Sequence, residues 1–144
     1  MLDGRFEGKT FILPIRIYFE DTDLSGIVYH ANYLRFMERA RTEYFRFLGG
    51  VQSDLLAETE PVAWALHKLS IEYLRPAHID DVVEVHTLAR ALTGARLTAE
   101  QSIIRGGEVL TRASVEACLI TLSGKLRRIP PQLREKFRSF LSET

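Results

Sequence analysis

The sequence predicts a single α+β domain over residues 1 to 144, a long antiparallel sheet curled around one long helix. Three observations carry that prediction. An apolar stripe at spacings of three and four runs from Tyr33 to Leu48 and needs a surface to cover. Four long alternating segments follow between residues 61 and 122, joined by short polar or Gly-bearing connections. The chain's 144 residues suit one sizeable core, and no linker, repeat or low-complexity stretch divides them. A sheet with one face to bury and a long helix to bury it form a stable layered pair. Strands of this length curl rather than lie flat.

The elements follow in chain order. "FILPIRIYFE" (11 to 20) is rich in aromatic and β-branched residues and alternates from Ile15, which predicts a strand. Pro14 marks an edge or a bulge in it. Residues 21 to 30 hold Asp, Thr, Asp, Ser and Gly within six positions, which is turn chemistry. From Ala31 to Leu48 the period changes. Tyr33, Met37, Ala40, Tyr44 and Leu48 share one side, while Arg35, Glu38, Arg39 and Arg41 mostly fill another. That predicts an amphipathic helix of about five turns. Gly49 and Gly50 stop it. A short second helix is expected around "QSDLLAE", with Ser53 as its cap.

Four strands come next: "PVAWALHKLSIEYL" (61 to 74), "DVVEVHTLARAL" (81 to 92), "ARLTAEQSIIR" (95 to 105) and "EVLTRASVEACLITL" (108 to 122). Gly106 and Gly107 between the last two signal a tight hairpin, whose central positions take positive φ. "PPQLREKFRSFLSE" reads as a C-terminal helix entered through proline. The apolar run "VEACLITL" suggests that the sheet's edge or outer face meets another subunit.

Composition narrows the function classes. Nineteen basic and nineteen acidic residues cancel, so no strong field recommends nucleic acid or an anionic membrane. Cys118 is the one cysteine, which excludes an intrachain disulfide. It is expected as a buried small hydrophobe. "MLDGRFEGKT" lacks a signal-peptide core, and nowhere do 18 apolar residues run together. The expectation is a cytoplasmic protein without an integral membrane segment.

The chemistry concentrates in "YFEDTDLSGIVYHANY" (18 to 33). Asp21, Asp23, Ser25 and Gly26 match the first, third, fifth and sixth positions of a calcium loop, but Asn32 stands where the bidentate Glu is needed. The preceding segment also reads as a strand rather than the helix that motif requires. His30, His67, His78 and His86 have no zinc-type spacing. No GxSxG, Walker loop or dinucleotide fingerprint occurs. No metal and no cofactor are expected. Two readings stay open. The loop caps the helix, since Asp and Ser satisfy free N–H groups and complement the dipole. Alternatively the helix start offers free N–H groups as an oxyanion site, beside a carboxylate that acts as base or nucleophile. Gly26 would keep the approach open.

"DTDLSGIVYHANY" (21 to 33) resembles the D-x-D-x-x-G-x-V-x-x-x-x-Y motif of the 4-hydroxybenzoyl-CoA thioesterase family of hot-dog-fold enzymes. The longer "YFEDTDLSGIVYHANYLRFMERARTE" is similar to its branch of bacterial acyl-CoA thioesterases associated with the Tol–Pal system. "IEYLRPAHIDDVVEV" (71 to 85) resembles that family's second strand pair, with a Pro and an Asp flanking the turn. The resemblance spans roughly residues 11 to 123. It implies a hot-dog fold, homodimers or homotetramers (dimers of dimers), and an acyl-CoA site between subunits.

Residue by residue, the resemblance implies Asp23 as the reacting carboxylate and the His30 amide as oxyanion donor. The His30 side chain would help orient water or the carbonyl; its alternative is a His bonded to backbone. Tyr29, Asn32 and Tyr33 would shape the site, with core packing the competing duty of Tyr33. Asp21 is expected to bond loop amides and Glu20 to be exposed. Trp64 is a candidate lining for the acyl pocket, or core. Arg96, with Lys125, Arg127 and Arg128, are candidates for the coenzyme's phosphates, or solvated charges. A hot-dog dehydratase fits poorly, because "ANYLRF" follows His30 where that family carries a proline-bearing motif. The other competitor is a non-catalytic protein binding acyl carrier protein or an envelope complex on the same fold.

Overall fold

The computed structural model describes residues 3–49, 55, 57 and 60–142. Six strands, β1 (Arg5–Glu7), β2 (Thr10–Arg16), β3 (Val62–Tyr73), β4 (Val82–Thr93), β5 (Arg96–Arg105) and β6 (Glu108–Thr121), form one antiparallel sheet. Its order is β1-β2-β4-β5-β6-β3. Helix α1 (His30–Phe47) packs on it, and a short α2 (Pro131–Arg138) closes one end. The helix expected around "QSDLLAE", with its Ser53 cap, falls largely outside the described residues.

The alternation that predicted the strands sorts their side chains. Phe11, Leu13, Ile15 and Ile17 of the β2 segment and Val83, Val85 and Ala89 of β4 are buried. Phe36, Met37, Ala40 and Tyr44 of α1 are buried with them in one core. Each such large side chain contributes about 1.5–3 kcal/mol by leaving water. One polar residue pins the helix to the sheet. Gln101, fully buried in β5, donates from Nε2 to the Met37 carbonyl (3.0 Å) and to Thr87 Oγ1 (2.9 Å). Its Oε1 accepts from Arg41 Nη1 at 2.9 Å. Satisfied on both sides, it sets how α1 lies over β4 and β5.

Three expectations need correction. The first strand stops at Arg16 rather than continuing to residue 20. Ile17 still exchanges backbone bonds with Asp80 and Asp81, but Asp21 Oδ2 then takes the Tyr18 amide at 2.8 Å and a 3-10 turn forms at Phe19–Asp21. A side chain bonding the local backbone has displaced the ladder. Second, β3 and β4 are not neighbours. Residues 74 to 81 cross the end of the sheet instead of making a hairpin. Third, β6, which carries "VEACLITL", lies between β5 and β3, so of the two readings of that run the edge is excluded and only the outer face is left. Cys118 on it is buried, as expected. The edge is β3.

Other details agree. Ile17 bonds towards β4, so alternation turns the Pro14 nitrogen to the opposite side, where β1 pairs only with Thr10 to Ile12. No donor is missed there. Gly106 and Gly107 have φ of +54° and +84°, as the tight hairpin requires.

Candidate active site

The acidic loop is a small hairpin. Thr22 bridges Val28, the Asp23 amide donates to the Ile27 carbonyl (2.9 Å), and the Gly26 amide donates back to the Asp23 carbonyl (3.1 Å). Gly26 sits at φ +80°, where a side chain costs about 1–2 kcal/mol. Nothing lies within 4 Å of where its Cβ would stand, so backbone conformation alone calls for glycine in this chain.

Within that turn, Asp23 Oδ1 accepts from the Ser25 amide (2.8 Å) and from Ser25 Oγ (2.5 Å). The Ser25 hydroxyl first, and then its amide, hold the exposed carboxyl below its usual pKa. Asp23 is therefore ionised at neutral pH. Asp21 has the structural duty expected of it. Its carboxylate takes the Tyr18 amide, and its carbonyl accepts from the Tyr29 amide (3.0 Å) and Asn32 Nδ2 (2.9 Å). Glu20 is exposed.

Neither aspartate caps the helix. Tyr29 occupies the cap position and makes no side-chain cap bond. Its carbonyl accepts from the Asn32 amide at 2.8 Å. The amides of His30 and Ala31 take no hydrogen bond among the described residues. A helix normally has such donors satisfied by a Ser, Thr, Asp or Asn at this point. Here they are open to water or a ligand, with the dipole's positive end behind them.

Beside this start runs a groove lined by Ile27, His30, Tyr33, Tyr73, Leu74 and Pro76, among others. The His30 ring is exposed and lies 4.5 Å from Tyr29 and 6.1 Å from Tyr73, centroid to centroid. Tyr73 Oη donates to the His30 carbonyl at 3.1 Å. Tyr33 is buried, and its hydroxyl accepts from the Ala77 amide at 3.0 Å, which ties the crossing segment to α1. Burial, foremost, pushes its phenol pKa up. Asn32 is also buried and acts as the tie to Asp21. Asp23 stands on the adjoining turn, outside the groove's lining.

The structure thus gathers Gly26, Tyr29, His30, Asn32 and Tyr33 around the start of α1, with Asp23 on the same loop. It does not bring the other candidates there within one chain. Trp64 stacks on Phe45, centroids 4.9 Å apart and planes 3° apart. Phe45 is fifteen residues beyond His30, about 22 Å along the helix. Arg127 pairs with exposed Glu60, and Arg96 lies 3.7 Å from Glu116. Ser25 and Tyr73 were missed. Ser25 could have been read from its place two residues after Asp23, where an Asx-type turn bonds. Tyr73 lies 43 residues from His30 and carries no local signal.

Residues 25–111 match the family model of the thioesterase superfamily, more than half of the chain. The chain belongs to the thioesterase superfamily. Other relatives of this thioesterase agree along nearly its whole length. It is 40% identical to the acyl-CoA thioesterase YbgC of Haemophilus influenzae over 139 residues, 95% of this chain and 97% of that protein. It is 37% identical to the acyl-CoA thioester hydrolase YbgC of an Escherichia coli strain over 130 residues, 89% and 96% of the two chains. A probable thioesterase from Bartonella henselae superposes with a TM-score of 0.80 at 40% identity, covering 83% of this chain and 98% of that one. The fold is the hot dog expected from the motif.

Proposed function

We propose that the whole chain is one domain that hydrolyses acyl-CoA thioesters. The observation that carries this is a helix whose first two amides take no hydrogen bond among the described residues, led into by a loop that bears an ionised carboxylate, in a thioesterase-superfamily chain. The His30 amide receives the thioester oxygen as it gains charge. Asp23 either attacks the carbonyl carbon or takes a proton from the water that does. The C–S bond breaks, the coenzyme leaves as its thiol, and water supplies the acid's new oxygen. The His30 ring, exposed beside the amide, orients water or carbonyl.

The distant candidates fit this reading through a second copy. Edge strand β3 pairs with β6 alone among the described strands and leaves twelve residues, Val62–Tyr73, open on the other side. Antiparallel pairing of two β3 edges would carry the Trp64 end of one protomer towards the Tyr73 and His30 end of its partner. Arg127, by the start of β3, would travel with it, and Arg96 is a further candidate for the coenzyme's phosphates. A homodimer, or a dimer of dimers, follows from that pairing. A cytoplasmic location, a link to the Tol–Pal system and acyl-carrier-protein thioesters as substrates are proposed on the motif's resemblance. No helix among the described residues is long and apolar enough to cross a membrane.

The test is thiol release from short, long and aromatic acyl-CoAs by wild type and Asp23→Asn, side by side. Turnover that collapses by about a thousandfold in a folded variant is expected. A wild type that releases nothing would turn the reading to a binding module for acyl carrier protein or an envelope complex. An equally active variant would move the chemistry off Asp23.

A further inference from the structure

We infer that Tyr73 is a positioning residue for the oxyanion site, acting through the peptide that joins His30 to Ala31. The inference rests on the thioesterase reading above and adds a residue to it. Tyr73 is the last residue of edge strand β3, far in sequence from the motif. Its hydroxyl donates to the His30 carbonyl at 3.1 Å. That carbonyl and the Ala31 N–H belong to one planar peptide group. A hydrogen bond to the oxygen polarises the group and strengthens the donor at its other end, by roughly 10–30%. The Ala31 amide, which like that of His30 takes no hydrogen bond among the described residues, is the donor this bond strengthens, and the inference makes it the second donor of the oxyanion site beside the His30 amide.

The rest of the environment supports a held geometry. The Tyr73 ring lies 5.6 Å from the Tyr33 ring and 6.1 Å from the His30 ring, which fixes its direction. Burial raises its pKa, so the phenol keeps its proton and stays a donor at neutral and mildly alkaline pH. Tyr73 touches no reacting atom in this arrangement. Its effect runs through the helix start, and because it stands on the open edge strand, whatever pairs with β3 also steadies the oxyanion site.

The test uses Tyr73→Phe in the full chain, which keeps the ring, with Tyr44→Phe at the far end of α1 as the matched control. With the best acyl-CoA, Tyr73→Phe should lower kcat about tenfold and leave KM within about twofold, less than the loss on removing a direct oxyanion donor. Tyr44→Phe should leave both constants unchanged. A second readout needs no turnover. The isotope-labelled thioester carbonyl bound to Asp23→Asn should absorb at lower frequency than in water, and adding Tyr73→Phe should shrink that displacement. Unchanged kcat and an unchanged carbonyl band would overturn the inference, as would a raised KM with kcat intact. If Asp23→Asn stays fully active, the carboxylate assignment fails and the labelled thioester is cleaved before its band can be read, while kcat of Tyr73→Phe against wild type still judges Tyr73. If wild type cleaves no acyl-CoA, both readings fall together.

Discussion

The two ends of α1 are built to opposite specifications. At its C-terminal end Tyr44 and Phe45 sit among Phe6, Phe11, Trp64 and Phe137, with ring centroids 4.9–6.2 Å apart. Leu48 is buried there too, and Gly49, at φ +82°, ends the helix as its type predicts. At the N-terminal end, among the described residues, no side chain caps the helix and two amides are unbonded, and Tyr29 and His30 face solvent. Helix ends usually satisfy their donors locally. One end of this helix supplies cohesion, and the other leaves open the donors that the proposed mechanism uses. Stability and activity should therefore respond to different substitutions, and the contrast can be broken at either end.

The largest expected effect is on activity. Asp23→Asn should abolish most thioester cleavage and leave the thermal midpoint near that of wild type, because the carboxylate is exposed and bonds only its own turn. A large fall in midpoint would show that the loop is structural, and the division between the ends would fail. The mirror experiment is Phe137→Ala. Phe137 is fully buried against Tyr44 and Phe45. Its removal should cost about 3–5 kcal/mol, lowering the midpoint by roughly 10 °C. The fraction that stays folded should keep its kcat. A proportionate loss of kcat would mean that the two ends are coupled.

Ser25→Ala sharpens the comparison through pH. On the proposed mechanism activity requires ionised Asp23, whose pKa is held down chiefly by the Ser25 hydroxyl. Wild type should therefore keep its activity as pH falls into the ordinary carboxylate range. Without the hydroxyl the pKa rises, so the acid limb of kcat/KM should move to higher pH, with little change at pH 7. A limb that stays in place would assign it to another group.

The smallest effect is a gain. The Tyr44 hydroxyl is buried and takes no hydrogen bond among the described residues, and burial drives its pKa up. Tyr44→Phe removes an unsatisfied polar atom and should stabilise the fold by about 1 kcal/mol. Calorimetry showing a loss instead would point to a partner for that hydroxyl, such as a bound water.

Much of this contrast was legible before the fold. The stripe from Tyr33 to Leu48 marked the helix and its buried face, because a period of 3.6 residues leaves that spacing whatever the neighbours are. The turn at residues 21 to 30 was legible for the same local reason, since turn chemistry is written over a few adjacent residues, whereas Asp23 and His30 were singled out by the family resemblance. Legibility failed where distant residues competed for the same groups. The strand's extension to residue 20 was lost to one carboxylate, Asp21, whose bond to the Tyr18 amide no alternation pattern reveals. Trp64 and Phe45 are 19 positions apart, and their stacking was invisible until β3 was paired.

By itself, then, the sequence determined the helix, the hairpin at Gly106 and Gly107, and the residues of the acidic turn, all governed by interactions within a few positions. Tertiary structure decided which strands are neighbours, that β3 is a long open edge, and that the helix start stays uncapped. It also brought Tyr73 onto the His30 carbonyl across 43 residues. These outcomes depend on which long-range contacts are formed together, and one segment's periodicity does not encode them.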